Sequence, residues 1–149
     1  MAKRENRQKR YYFSDELKSK LAQIPHRAVT VVEAPSGFGK TTAVREYLKE
    51  SLPQGACEYW YTCLGGTASG TWRGICGLFA DICAETASKL EKMDMPTPDT
   101  LPDLPERMEN LSCEKEFFLV IDNFHLVKCD IPHELMHVFS MHKNPKLHI

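Results

Sequence analysis

Long apolar runs are missing from this 149-residue sequence. Nothing approaches the ~18 consecutive apolar residues that a membrane-spanning helix needs, and no apolar core follows the basic N-terminus as it would in a secretory signal. A large charge of either sign is missing too. The formal net charge of −1 removes any overall electrostatic case for nucleic acid or membrane, leaving only the local patch Lys3, Arg4, Arg7, Lys9 and Arg10. That patch reads as a solvated terminus. The six cysteines, Cys57, Cys63, Cys76, Cys83, Cys113 and Cys129, form no C-x-x-C pair and show no metal-ligand spacing. Most lie in apolar runs, where reduced cysteine packs as a small hydrophobe. An N-K-x-D segment, the usual guanine reader, is also absent. What remains is 42% hydrophobic and 26% charged, enough for one core and one domain, expected in the cytoplasm.

Against these absences stands one dense motif, Ala34-Pro35-Ser36-Gly37-Phe38-Gly39-Lys40-Thr41-Thr42. A β-branched run, Ala28 to Glu33, precedes it, and Ala43, Val44, Tyr47 and Leu48 follow at helical spacing. Strand, glycine loop and helix are the context that a phosphate-binding loop requires. Gly37 and Gly39 let backbone N–H groups converge on phosphate oxygens, and the helix N-terminus adds partial positive charge. Lys40 is then aimed at the β- and γ-phosphates. Thr41 offers its hydroxyl to Mg²⁺, and Thr42 supports the loop or packs. Ala34 stands where the motif begins with glycine, a small residue that still permits the turn.

The rest of the chain alternates. Ser14 caps a helix from Asp15 to Ile24, ended by Pro25. After the phosphate loop a helix runs to Pro53 and Gly55, and Cys57 to Leu64 reads as a second strand. Apolar positions from Trp72 to Leu90 recur at three and four, predicting one long amphipathic helix over about Thr71 to Met93. The proline-rich stretch Pro96 to Pro105 is a loop, followed by a short helix, Glu106 to Leu111. Then come a buried strand, Phe117 to Asp122, a helix over about Pro132 to His142, and the start of a strand at Leu147. Such alternation implies a parallel sheet covered by helices on both faces.

Asp122 ends an apolar strand, where a metal-bound phosphate is met in parallel sheets; it is assigned to hold Mg²⁺, through water. The alternative, an aspartate that merely opens a turn, loses weight beside a phosphate loop. Asn123 occupies the position at which many hydrolysing ATPases carry a second acid. An amide hydrogen-bonds a water but does not take its proton. Asp122 and Asn123 are therefore the candidate catalytic positions, with slow turnover expected.

Taken together, Val31 to Thr42, Trp60-Tyr61, Leu119 to Leu126 and Pro145 to Ile149 resemble the N-terminal ATPase domain of MalT-like regulators. These are large ATP-binding transcription regulators of the LuxR type, within the STAND class of P-loop ATPases. The resemblance covers nearly all of the chain from about Arg27. It implies a P-loop NTPase of three α/β/α layers with an ASCE-type strand order, the strand at Leu147 lying between the phosphate-loop strand and the Asp122 strand. In a kinase or GTPase layout those two would touch. It divides the chain into a basic segment with a short helix, 1–26, and the NTPase domain, 27–149, whose C-terminal part is expected to follow. It further implies ATP or ADP with Mg²⁺ as a switch, self-association promoted by ATP and an inducer, and DNA binding through a separate C-terminal helix-turn-helix. Asn123 departs from the family's usual second aspartate.

One rival motif remains. His133-Glu134-Leu135-Met136-His137 matches H-E-x-x-H, the arrangement of zinc metallopeptidases. No third ligand follows at the required spacing, and Pro132 with Leu135, Met136, Val138 and Phe139 explains the segment as a packing helix. His26, His125, His142 and His148 have no partner evident from sequence.

Overall fold

The computed structural model describes residues 11–93, 96, 97, 99–127 and 134–149. Three parallel strands form the sheet: β1 (Cys57–Thr62), β2 (Phe117–Asp122) and β3 (Leu147–His148), in the order β1-β2-β3. The register pairs Cys57 with Phe117 through Thr62 with Asp122, and Phe117 and Phe118 with Leu147 and His148. Alternation along β2 sets the layers, because successive side chains of a strand point to opposite faces. Phe117 and Leu119 enter the larger core, and Phe118 enters a smaller one with Val120 packed against it.

The smaller core is built by α1 (Asp15–Leu21), the 3-10 turn Ile24–His26 and α2 (Lys40–Ser51), through Leu21, Ile24, Ala43 and Leu48. Ser14 caps α1 as expected, its Oγ accepting from Leu17 N at 3.2 Å. Arg45 of α2 lies over the Trp60 ring, 4.7 Å from its centroid, a cation–π contact tying α2 to β1. The larger core takes in α3 (Ala68–Ala80), α4 (Ala84–Lys92), α5 (Leu104–Glu109) and α6 (Glu134–Ser140). Helices thus cover both faces. None of the described helices is long and apolar enough to cross a membrane.

The helix from Asp15 ends at Leu21 and is followed by the 3-10 turn Ile24–His26, and the proline-rich stretch holds a 3-10 turn, Leu101–Asp103, before α5 begins at Leu104. Two further expectations need larger correction. The single helix predicted over Thr71 to Met93 is two helices. The chain leaves helical geometry at Cys83 (φ −154°, ψ 104°), which becomes the N-cap residue of α4. Tertiary contact outweighs periodicity here: α4 packs on α3, and the buried Trp72 indole N–H donates to the Leu90 carbonyl at 3.2 Å. Gly74 lets α3 lie close on β1, since a Cβ there would overlap the Tyr61 ring. The second correction concerns Ala28 to Glu33, predicted as a strand. The segment is extended but not regular strand, because its only backbone bonds to the sheet run to Ile149: Thr30 N to Ile149 O at 2.8 Å, and Ile149 N to Ala28 O at 2.9 Å. Its placement is the expected one, with Leu147–Ile149 between it and β2.

The cysteine reading holds among the described residues: Cys57, Cys63, Cys76, Cys83 and Cys113 are free thiols, with Cys63 and Cys76 fully buried. Burial pushes the Cys76 thiol up to about 12, which leaves it inert as a nucleophile.

Candidate functional site

The phosphate loop owes its shape to two residues in the left-handed region, Gly37 (φ 82°) and Gly39 (φ 75°). No neighbouring atom lies where a Cβ would project at either position, so conformation and not space demands glycine there. Gly39 is the N-cap residue of α2, and its carbonyl accepts the first helical bond, from Ala43 N at 2.8 Å. The amides of Lys40, Thr41 and Thr42 have no backbone partner, as the first turn of a helix dictates. The loop from Ala34 to Gly39 is exposed. Unpaired N–H groups at a helix N-terminus, open to solvent and next to a lysine, are a fit for phosphate oxygens.

Lys40 is held back on the loop itself. Its Nζ donates to the carbonyls of Ala34 at 2.6 Å and Pro35 at 3.1 Å. A phosphate group arriving at the loop offers charged acceptors in exchange for these two neutral ones, which turns an ion–dipole contact of the ammonium into an ion pair.

Sequence-distant parts converge at the other edge. Thr41 Oγ1 donates to Asp122 Oδ1 at 2.9 Å across 81 positions of sequence. The same carboxylate oxygen accepts from the Asn123 amide at 3.0 Å. Hydroxyl and carboxylate oxygens at this separation form a donor set suited to a hard cation such as Mg²⁺. Asn123 is the one described non-glycine residue at positive φ (56°), and it opens the short 3-10 turn Phe124–Leu126. Asparagine tolerates this conformation better than most residues.

Between the lead-in segment and the carboxyl half of β2 lies a cavity of about 500 Å³. Val29 to Ala34 line one side and Leu119 to Asn123 another, with Lys40, Thr41 and Ile149 also in the lining. The lining brings together Lys40, Thr41, Asp122 and Asn123, which the sequence offered as site residues, with Trp60, Phe124 and Met136, which it did not. These carry no local signal; only the strand order brings them to one place.

The metallopeptidase motif is not assembled among the described residues. His133 lies outside them, as does the Glu134 side chain, and no group of three or more potential metal ligands is present among the rest. The basic N-terminal patch and Cys129 also lie outside the described residues.

Comparison with known sequences agrees with the geometry. Residues 24–147 match the profile of a family described as AAA domain. The chain is 28% identical over 141 residues to the HTH-type transcriptional regulator MalT of Serratia proteamaculans (strain 568), covering 89% of this chain and 15% of that protein. It is 27% identical over 139 residues, with the same coverages, to MalT proteins of Yersinia pestis (strain Pestoides F) and Yersinia pseudotuberculosis serotype O:1b (strain IP 31758). The chain thus spans about 15% of the length of these relatives. No solved structure matches it at comparable significance.

Proposed function

Because this chain belongs to the AAA domain family, a P-loop NTPase family matched over residues 24–147, we propose that it is the ATP-binding switch domain of a MalT-like transcription regulator of the LuxR type. One observation carries this reading: the 2.9 Å bond from Thr41 to Asp122, which joins the phosphate loop to the acid of β2. In the proposed complex the amides of Gly37 to Thr42 and the Lys40 ammonium bind the phosphates of ATP or ADP. Thr41 and Asp122 hold Mg²⁺, Asp122 through water. The ion supplies charge neutralisation on the phosphate oxygens.

Asn123 sets the rate. Its side chain has no group that takes a proton from water, and its backbone N–H is committed to Asp122. Nucleotide occupancy then acts as a signal, with self-association, inducer response and DNA binding belonging to the whole regulator. A true kinase or GTPase is disfavoured by the sheet, where Leu147–Ile149 separates the two chemical segments. The expected result in a coupled phosphate-release assay is a turnover far below the ~1 s⁻¹ of working enzymes, no faster than that of Lys40→Ala. Turnover near that value, abolished by Lys40→Ala, would refute the switch.

A further inference from the structure

The phosphate loop hangs from a lead-in, Arg27 to Glu33, that makes no hydrogen bond to β2. The hydrogen bonds tying it to the sheet come from Ile149, described above, and from His148. The His148 ring stacks on Phe118 of β2 with centroids 4.7 Å apart, and its Nδ1 lies 3.0 Å from the Arg27 carbonyl oxygen. A carbonyl only accepts, so Nδ1 carries the proton, which leaves Nε2 an acceptor. That Nε2 is buried without a partner. His142, on the segment leading from α6 to β3, is 4% exposed, and neither of its ring nitrogens makes a well-formed hydrogen bond, the Ala28 carbonyl of the lead-in being the nearby acceptor. On the lead-in itself Thr30 Oγ1 is likewise buried and unpartnered. The junction therefore concentrates uncompensated polar atoms on the two segments that hold the loop in place. Buried groups of this kind tolerate no added charge.

We propose that His148 and His142 form a latch that senses protons at His142: the His148 contact holds the lead-in against the sheet, and protonation of the buried His142 releases it and with it the phosphate loop. Only the consequence for nucleotide binding rests on the function proposed above. Burial, and then the neighbouring His148, lower the pKa of His142 from its ordinary value near 6.5. The Ala28 carbonyl and the Glu109 carboxylate of α5 favour its charged form more weakly. The ring is thus more basic in the open state than in the closed one. The open state binds more protons, so closure is fully favoured above about pH 6.5 and is lost progressively as pH falls below it.

Amide hydrogen exchange of the nucleotide-free chain, corrected for intrinsic rates, reads the latch directly. Protection at Thr30 and Ile149 is expected to fall several-fold, by at most about eightfold, between about pH 7 and pH 5.5, while Leu119, in the β1–β2 ladder, stays protected. His142→Phe removes the titrating group and keeps the ring volume; protection at Thr30 then becomes independent of pH. Unchanged protection at Thr30 in the wild type, or equal loss at Thr30 and Leu119, overturns the latch. Should His142→Phe fail to fold, the imidazole C2-proton titration of the wild type decides. A His142 that protonates near pH 6.5 with Thr30 still protected overturns the proposal. One that protonates at lower pH, in step with release, supports it. Release of Thr30 with no change in Mg²⁺-ATP affinity supports the latch and counts against the nucleotide reading alone.

Discussion

Replacing Lys40 by alanine weakens Mg²⁺-ATP binding about a hundredfold or more in a calorimetric titration, with the melting temperature of the free protein nearly unchanged. The size follows from the bond type. A hydrogen bond to a charged group contributes about 1.5–3 kcal/mol, and the lysine reaches more than one phosphate oxygen. The small effect on the free protein follows from what Lys40 does without nucleotide, which is to donate to two carbonyls of an exposed loop. Solvent replaces it there. Lys40→Arg does not restore affinity, because the wider, planar guanidinium does not fit a loop shaped around a point charge. Equal affinity in wild type and Lys40→Ala would remove the phosphate assignment.

Phe118→Ala has the largest expected effect on stability. Phe118 is 2% exposed, belongs to the core formed by α1 and α2, and supports the His148 ring that reaches the lead-in. Truncating a buried phenylalanine costs about 3–5 kcal/mol, through lost transfer energy and the cavity left behind. For a domain of this size the melting temperature falls by roughly 10 °C or more. The variant also releases the lead-in at neutral pH, since His148 loses the surface on which it stacks. A loss below about 1 kcal/mol in urea unfolding would show that β2 is not the core element described here.

What sequence made legible, and what it hid, separate along a physical line. The phosphate loop was readable because its chemistry is local: two glycines, a lysine and a threonine at fixed spacing produce the turn and the helix N-terminus wherever the flanks permit. The β2 strand was readable to the residue, since a buried parallel strand is a continuous apolar run bounded by polar residues. The break between α3 and α4 was not. The apolar spacing continues through Asp81–Cys83, and only the packing of α4 back on α3 ends the first helix. The lead-in misled in the opposite sense. Its β-branched residues satisfy a strand pattern, yet strand is a property of pairing, and beyond Thr30 no described residue pairs with it. His142 and His148 looked partnerless in sequence; in the fold both are buried, and His148 reaches the Arg27 carbonyl of the lead-in, a contact that no spacing rule encodes.

Chemical-shift mapping of the backbone amides on titration with Mg²⁺-ATP tests the central claim most directly. Saturable shifts concentrated at Gly37, Gly39, Lys40 and Thr41, together with Asp122 and Asn123, are the predicted result. Saturable binding that leaves these amides unmoved and shifts others would contradict the site and the function built on it.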